Sequence, residues 1–283
     1  MRTLVIAEIG SCHDGDWSKV LRLLDAARQA GASIAKMQYW SSADRLADRR
    51  RVPPECLAIY RRYQVPYIWL DAAKRYCDEI GMELMATTYL PEDVASVAPF
   101  VMRFKVASFE ARDTEFIQAH RGYDKSLIVS TGMMDGEQVD ALIERSLRVA
   151  PIVGVLQCVS AYPAAPSSLS LSTIARWRAQ QIRWRVQQTG SRVADIHVGF
   201  SDHTDPASIW TGALAVAAGA QIVEAHLKLD ETDPENPDAP HAMTPEQFKT
   251  YVSNIRYAET CLGDGEKRLQ ECEQPMARYR VVS

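Results

Sequence analysis

The chain has 283 residues, 47% hydrophobic and 24% charged, which is the size and balance of one large domain with ample core. Its formal net charge of −4 gives no global attraction for nucleic acid or an acidic membrane, so an anionic ligand must be met by a local cluster of donors. No apolar run approaches the length of a membrane span and no cleavable signal pattern precedes the first strand-like segment, so the expected location is the cytoplasm.

The β-branched run 3–9 reads as a strand, broken by Gly10 to Gly15 before a helical pattern over 17–30, and the strand signal returns at 33–39. Helical material fills 43–80, interrupted at Pro53, Pro54 and Pro66, and 43–66 is expected to be an insertion of short helices. Strands then follow at 83–88, 102–107, 126–131 and 152–158, separated by helices starting at Pro91, over 113–120 and over 136–150. A helix bearing arginine and tryptophan spans 170–188, and the stretches 198–204 and 222–230 are two more strands around a helix-like run over 205–220. A last helix covers 245–262, and the charged tail beyond Gly263 reads as a terminus. Eight such alternations predict a single (β/α)8 TIM barrel over residues 1–283. A doubly wound open sheet is the alternative, but no glycine-rich dinucleotide turn follows the first strand. The six cysteines have no paired zinc or redox spacing and are expected to be reduced.

Nearly every strand ends in residues that a hydrophobic core would not select. They are Glu8, then Lys36 and Gln38, Thr87 and Thr88, Lys105 with Ser108 and Glu110, Ser130 and Thr131, and Ser160 and Tyr162. All fall at the C-terminal rim, where barrel active sites lie. Residues two apart share a face, so Lys36 and Gln38 point to one side, as do Glu224, His226 and Lys228. Lysines, hydroxyls and backbone donors together can neutralise a phosphate. His203 and His226 end two strands expected to be parallel neighbours, where a pair of imidazoles could hold a divalent metal. His13 and His241 sit in rim loops as substrate contacts or surface residues, and Asp202 either orients His203 or caps the next helix. The arginine-rich stretches 45–51 and 176–185 read as solvated helix faces with no nucleic-acid role.

Seven ordered pieces resemble the N-acetylneuraminate (sialic acid) synthases: Ala7-Glu-Ile-Gly10, Lys36-Met-Gln38, Lys105-Val-Ala-Ser108, Ser130-Thr-Gly-Met133, Cys158-Val-Ser-Ala-Tyr-Pro163, Ser201-Asp-His-Thr204 and Glu224-Ala-His226. The resemblance implies a barrel enzyme that condenses phosphoenolpyruvate with a sugar or other aldehyde, releasing phosphate and a 2-keto-3-deoxy acid. It implies His203 and His226 as ligands of a divalent metal, manganese or magnesium. Lys36, Thr88, Lys105, Ser108, Ser130, Ser160 and Ser201 would surround phosphoenolpyruvate, and Gln38, Glu110 and Tyr162 would face the acceptor. Glu8 and Asp238 would handle protons or the attacking water, in a homodimer.

Three departures mark the chain. Cys12 stands before His13 where the family has asparagine, Lys228 shifts a positive charge along its strand, and Asn236-Pro-Asp-Ala-Pro-His241 displaces a histidine. The C-terminal antifreeze-like domain of the resembled family is also not expected here, so the acceptor lacks the group that domain contacts, or the 43–66 insertion or a partner chain closes the site. Two other readings compete. One is a Schiff-base aldolase using Lys105 without metal, and the other is a non-catalytic, metabolite-binding barrel.

Overall fold

The computed structural model describes residues 2–149, 152–186 and 196–281. Eight strands alternate with helices and close into a barrel in the order β1 to β8, with every neighbouring pair parallel. The strands are β1 Leu4–Glu8, β2 Ile34–Tyr39, β3 Glu83–Thr88, β4 Arg103–Val106, β5 Ser126–Ser130, β6 Ile152–Cys158, β7 His197–Asp202 and β8 Ile222–His226. This is the (β/α)8 TIM barrel expected from the sequence.

The helices form where their ends are specified. In α1, Trp17–Ala30, the Asp16 side chain accepts from Ser18 N–H, and Gly31 ends the helix in the left-handed conformation. In α10, Pro245–Leu262, Thr244 and Gln247 bond each other's backbone N–H in a capping box. The 43–66 segment folds into α2, Ala43–Arg50, and α3, Pro54–Arg62, split at Pro53 and Pro54, and α4 Ile68–Glu79 returns the chain to the barrel. The remaining helices are α5 Asp93–Val97, α6 Thr114–Ala119, α7 Gly136–Val149, α8 Ser172–Val186 and α9 Thr211–Ala217. The expected helix ends at Ala150 and Gln188 lie outside the described residues. The helix expected over 205–220 is shorter than its alanine content suggested, because Asp205 accepts from Ala207 N–H and turns occupy the chain up to Trp210. Beyond Gly263 the chain is almost wholly exposed, with α11, Gln274–Ala277, as its one α-helix among the described residues.

Three apolar clusters result, one of which, of Trp40, Ala43, Leu46, Tyr63, Tyr89 and Leu90, joins the 43–66 segment to the rim. The largest lies between strands and helices. A smaller one, of Ile6, Ile34, Met85, Ile128, Leu156 and Ile222, plugs the barrel interior. Alternation along each strand carries that interior face two residues further, to Glu8, Lys36, Thr87, Ser130, Cys158 and Glu224. The plug is therefore the floor of the site. None of the described helices is long and apolar enough to cross a membrane.

Candidate active site

A cavity of about 320 Å³ opens above the plug at the C-terminal rim. Directly on that plug lies an ion network that begins at Glu224 of β8. The Lys36 Nζ lies 3.2 Å from Glu224 Oε2 and 2.8 Å from Glu8 Oε2, and Lys105 Nζ lies 3.4 Å from Glu224 Oε1. Ser201 donates to Glu224 Oε1 at 3.1 Å, and Gln38 Nε2 donates to Glu8 Oε1 at 2.8 Å. Burying such charges is tolerable only because each is paired. Burial pushes the Glu224 carboxyl up, but the two ammonium groups outweigh it and hold the group at about 2. Burial also lowers Lys36, to about 8, against the opposing pull of Glu224.

The polar wall continues along β4 to β6. Lys105 donates to Ser130 Oγ at 2.7 Å and to the Val106 carbonyl at 3.3 Å, while Ser108 accepts from Gly132 N–H at 3.0 Å. Gly132 permits this crowding, since a Cβ there would lie 2.2 Å from Ser160 Oγ. Lys36, Lys105, Ser108, Ser130 and Ser201 all line the cavity; Ser160 is not among the lining residues, and its Oγ lies beside Gly132 on the same side as Ser108. Thr88 needs correction. In the β2–β3 register Gln38 pairs with Thr87, so Thr87 shares the inward face of Gln38, and Thr88 alternates away from the lumen. Neither threonine is among the residues that line the cavity.

Opposite this wall lies a nitrogen and oxygen cluster. One donor atom each of His226, Asp238 and His241 lies within 4.8 Å of the other two. Asp238 is held by Ser11 N–H, which donates to its Oδ2 at 2.7 Å, while its own N–H donates to Asn236 Oδ1 at 3.0 Å. Gly10, at φ +52°, makes room, since a Cβ there would meet Asp238 Oδ2 at 2.0 Å. His226 Nδ1 and both ring nitrogens of His241 are buried without a hydrogen-bond partner. Burial, reinforced at His226 by His241 and His203, holds both imidazoles neutral, with His241 lowered to about 4. Two neutral imidazoles and a carboxylate with free lone pairs fit a divalent first-row transition metal, manganese included.

His203 is placed differently from His226. Its ring centroid lies 5.4 Å from that of His226, but its Nδ1 engages the Val159 carbonyl at 2.9 Å. That contact leaves the other ring nitrogen to face the cavity that His203 lines. The expected pair thus becomes a cluster in which His241, read from the sequence as a substrate contact or surface residue, is buried beside His226.

Other expectations change in the same way. His13 is buried against Tyr63 and Trp69, away from the cavity wall, and its pKa falls to about 4 through that burial. Asp202 does not bond His203. It accepts from Thr204, Thr211 and Tyr251 and ties β7 to α9 and α10. Lys228 donates to the Ala239 carbonyl and braces the loop that carries Asp238 and His241. Glu8 reaches the cavity only through Lys36 and Gln38. Tyr162 lines it, with its ring 4.5 Å from that of His203.

Glu110 is buried and holds Arg50, which donates to its Oε1 through Nε at 2.9 Å and Nη2 at 2.7 Å. Arg50 itself lines the cavity, with its guanidinium over the rings of Tyr89, 4.7 Å, and Phe109, 4.9 Å. This corrects the reading of 45–51 as a solvated face. Arg45 is solvated, but Arg50 is built into the site. Its signal in the sequence was slight, a buried Leu46 one turn earlier that turns this edge of α2 inward.

Residues 23–267 match the NeuB family. The chain belongs to the NeuB family. A NeuB relative, the N,N'-diacetyllegionaminic acid synthase of Legionella pneumophila, is 30% identical over 98% of this chain and 78% of its own length. The pseudaminic acid synthase of Campylobacter jejuni is 28% identical over 95% of this chain and 78% of its own. Among solved structures, the N-acetylneuraminic acid (sialic acid) synthetase of Leptospira borgpetersenii in complex with citrate superposes with a TM-score of 0.86 at 23% identity. It covers 99% of this chain and 92% of that one, and it speaks for the fold. Both of these curated relatives are synthases of sugar acids.

Proposed function

We propose that the protein condenses phosphoenolpyruvate with a sugar aldehyde to give a 2-keto-3-deoxy sugar acid and phosphate. The observation that carries this reading is the meeting, in one cavity, of a two-lysine, three-serine wall with the His226, Asp238 and His241 cluster. The lysines and serines suit a compact trianion, each contact being a charge-assisted hydrogen bond. Gln38, Tyr162 and Arg50 line the remaining wall, where the acceptor fits.

In the reaction, C3 of the enol phosphate forms a bond to the aldehyde carbon, and the aldehyde oxygen takes a proton to become a hydroxyl. Water adds at C2 and gives up one proton, and the C2–O bond to phosphate then breaks while the C2 hydroxyl's remaining proton passes to the departing phosphate, leaving the ketone. His226, Asp238 and His241, with His203 beside them, would hold manganese or magnesium, which when bound supplies Lewis acidity toward a carbonyl oxygen. Asp238 lies on the wall and holds or accepts the moving protons, while Glu8 orients Gln38 and Lys36. Lys36 and Lys105 offset the phosphate charge as the C–O bond breaks. Three oxygens around Lys105 Nζ, from Glu224, Ser130 and Val106, match the three hydrogens of an ammonium, which argues against a Schiff base at this lysine. Exposed Leu214 on α9, with Trp210 at its N-cap, and exposed Tyr257 and Leu262 on α10, the helix packed against α9, support assembly as a homodimer.

The test is phosphate release from phosphoenolpyruvate with manganese or magnesium across a panel of aldoses and amino sugars. Release that requires one aldehyde class and a divalent ion, and is lost in His226→Ala, is expected. Phosphoenolpyruvate binding without release for any aldehyde would instead favour the metabolite-binding barrel.

A further inference from the structure

Of the three groups in the nitrogen and oxygen cluster, His226 is placed by β8 itself, whereas Asp238 and His241 come from the loop that follows. The base of that loop is fixed to the strand end, where Met243 N–H donates to the His226 carbonyl and Lys228 N–H to the Met243 carbonyl, each at 2.9 Å. Its far part is fixed by Asn236, which is 1% exposed and does not line the cavity. Asn236 Nδ2 donates to the Ser11 carbonyl at 2.8 Å and to Asp14 Oδ1 at 2.7 Å. Its Oδ1 accepts from Ser11 Oγ at 2.6 Å and from Asp238 N–H at 3.0 Å. Two amide hydrogens and two carbonyl lone pairs are all that this side chain has, so its capacity is fully used. The partners also fix which way the amide points, since the Ser11 carbonyl and the Asp14 carboxylate only accept and the Asp238 N–H only donates.

The consequence reaches the cluster in two steps. Ser11, clamped at its carbonyl and its hydroxyl, aims its own N–H at Asp238 Oδ2, 2.7 Å away. The Asp238 carbonyl accepts from His241 N–H at 3.2 Å and from Ala242 N–H at 3.0 Å, so the backbone of His241 follows that of Asp238. Asp238 Oδ2 then lies 3.7 Å from His226 Nδ1, and Oδ1 lies 3.8 Å from His241 Nε2. We propose that Asn236 is a positioning residue, which sets the Asp238 carboxylate and, through the turn, the His241 imidazole against His226 without touching substrate or ion. The inference rests on the synthase reading for the work those three groups do. Aspartate has the same shape as asparagine but no amide hydrogens, so at 236 it would turn lone pairs toward the Ser11 carbonyl and Asp14 Oδ1 in a buried place.

The experiment follows manganese and cobalt(II) binding by the full chain without substrates, by calorimetry and by the visible spectrum of the cobalt form, and then the kinetics of phosphate release. Asn236→Asp is expected to weaken binding of either ion by about 10- to 100-fold and to alter the cobalt spectrum. It should also lower kcat while KM for phosphoenolpyruvate stays as in the wild type. Adding Asp14→Asn to Asn236→Asp restores the bond between 14 and 236 with donor and acceptor exchanged, and is expected to recover ion binding in part. Thr232→Val is the comparison for a purely structural effect, since it removes only the hydroxyl that accepts from Leu229 N–H at 3.0 Å in the same loop. It should lower the melting midpoint and keep the cobalt spectrum of the wild type. If Asn236→Asp behaves like Thr232→Val, Asn236 is structural only, and the proposal is overturned with the synthase reading intact. If Asn236→Asp does not fold, Ser11→Ala decides, weaker ion binding supporting the proposal and unchanged binding rejecting it. A wild type that binds neither ion removes the metal from the synthase reading and overturns the proposal with it.

Discussion

Ile222 and Glu224 sit two residues apart on the same face of β8, and the same step separates Ile6 from Glu8, Ile34 from Lys36 and Ile128 from Ser130. The backbone geometry is identical in the two layers, and both are buried. They differ in what burial does. In the lower layer it removes apolar surface from water and stabilises the barrel. In the upper layer it strips water from charges, so that the lysines are held ready for an anion at a cost to stability. The floor and the site are thus consecutive turns of one pleat with opposite energetic signs.

One substitution in the ion network and one in the apolar plug should separate them. Lys105→Met is expected to lower phosphate release by about 10²- to 10³-fold, the range for losing one preorganised electrostatic donor. Ile222→Ala should do the reverse. It is expected to reduce stability by about 2–5 kcal/mol through the cavity it leaves, read as a lower midpoint in denaturant with unchanged slope, while KM for phosphoenolpyruvate stays as in the wild type. If Ile222→Ala instead abolishes donor binding with the fold intact, the plug is part of the site and the distinction between layers fails.

The alternation that makes this comparison possible was legible in the sequence, because residues two apart on a strand share a face. Lys36, Gln38, Glu224 and His226 follow from it directly. The choice between Thr87 and Thr88 does not, since both are polar and only the β2–β3 register shows which one faces the lumen. Glu110 was visible at the end of β4, but its partner lies sixty residues earlier in an insertion whose docking no local pattern specifies. His241 was hidden for a similar reason. Its loop is brought to His226 by the Ser11, Asn236 and Lys228 hydrogen bonds, which link distant segments. Strand-borne parts of the site are encoded by spacing, and loop-borne parts by tertiary contacts.

The pH dependence sharpens the comparison from the upper layer alone. Burial sets Lys36 at about 8, so it is charged below that pH and loses its proton above it. Because only the ammonium offsets donor charge, kcat/KM for phosphoenolpyruvate should be level on this limb up to about pH 8 and then fall about tenfold per pH unit. Glu224, held at about 2, adds no acidic limb in the working range. A profile level to pH 10 would mean that Lys36 keeps its proton or does not meet the donor.

The smallest effect is expected within a single helix. Arg45 and Arg50 both lie on α2, and each pairs with a carboxylate at 2.7 Å, Glu92 and Glu110 respectively. The Arg45 side chain is 63% exposed and that of Arg50 is 19% exposed, so solvent screens the first pair and not the second. An exposed pair contributes about 0–1 kcal/mol. Arg45→Ala should therefore leave the melting curve within about 1 kcal/mol of wild type and the acceptor KM unchanged. A change in acceptor KM from Arg45→Ala would mean that α2 acts on the site as a rigid unit, through its position, and not through the one guanidinium that reaches the cavity.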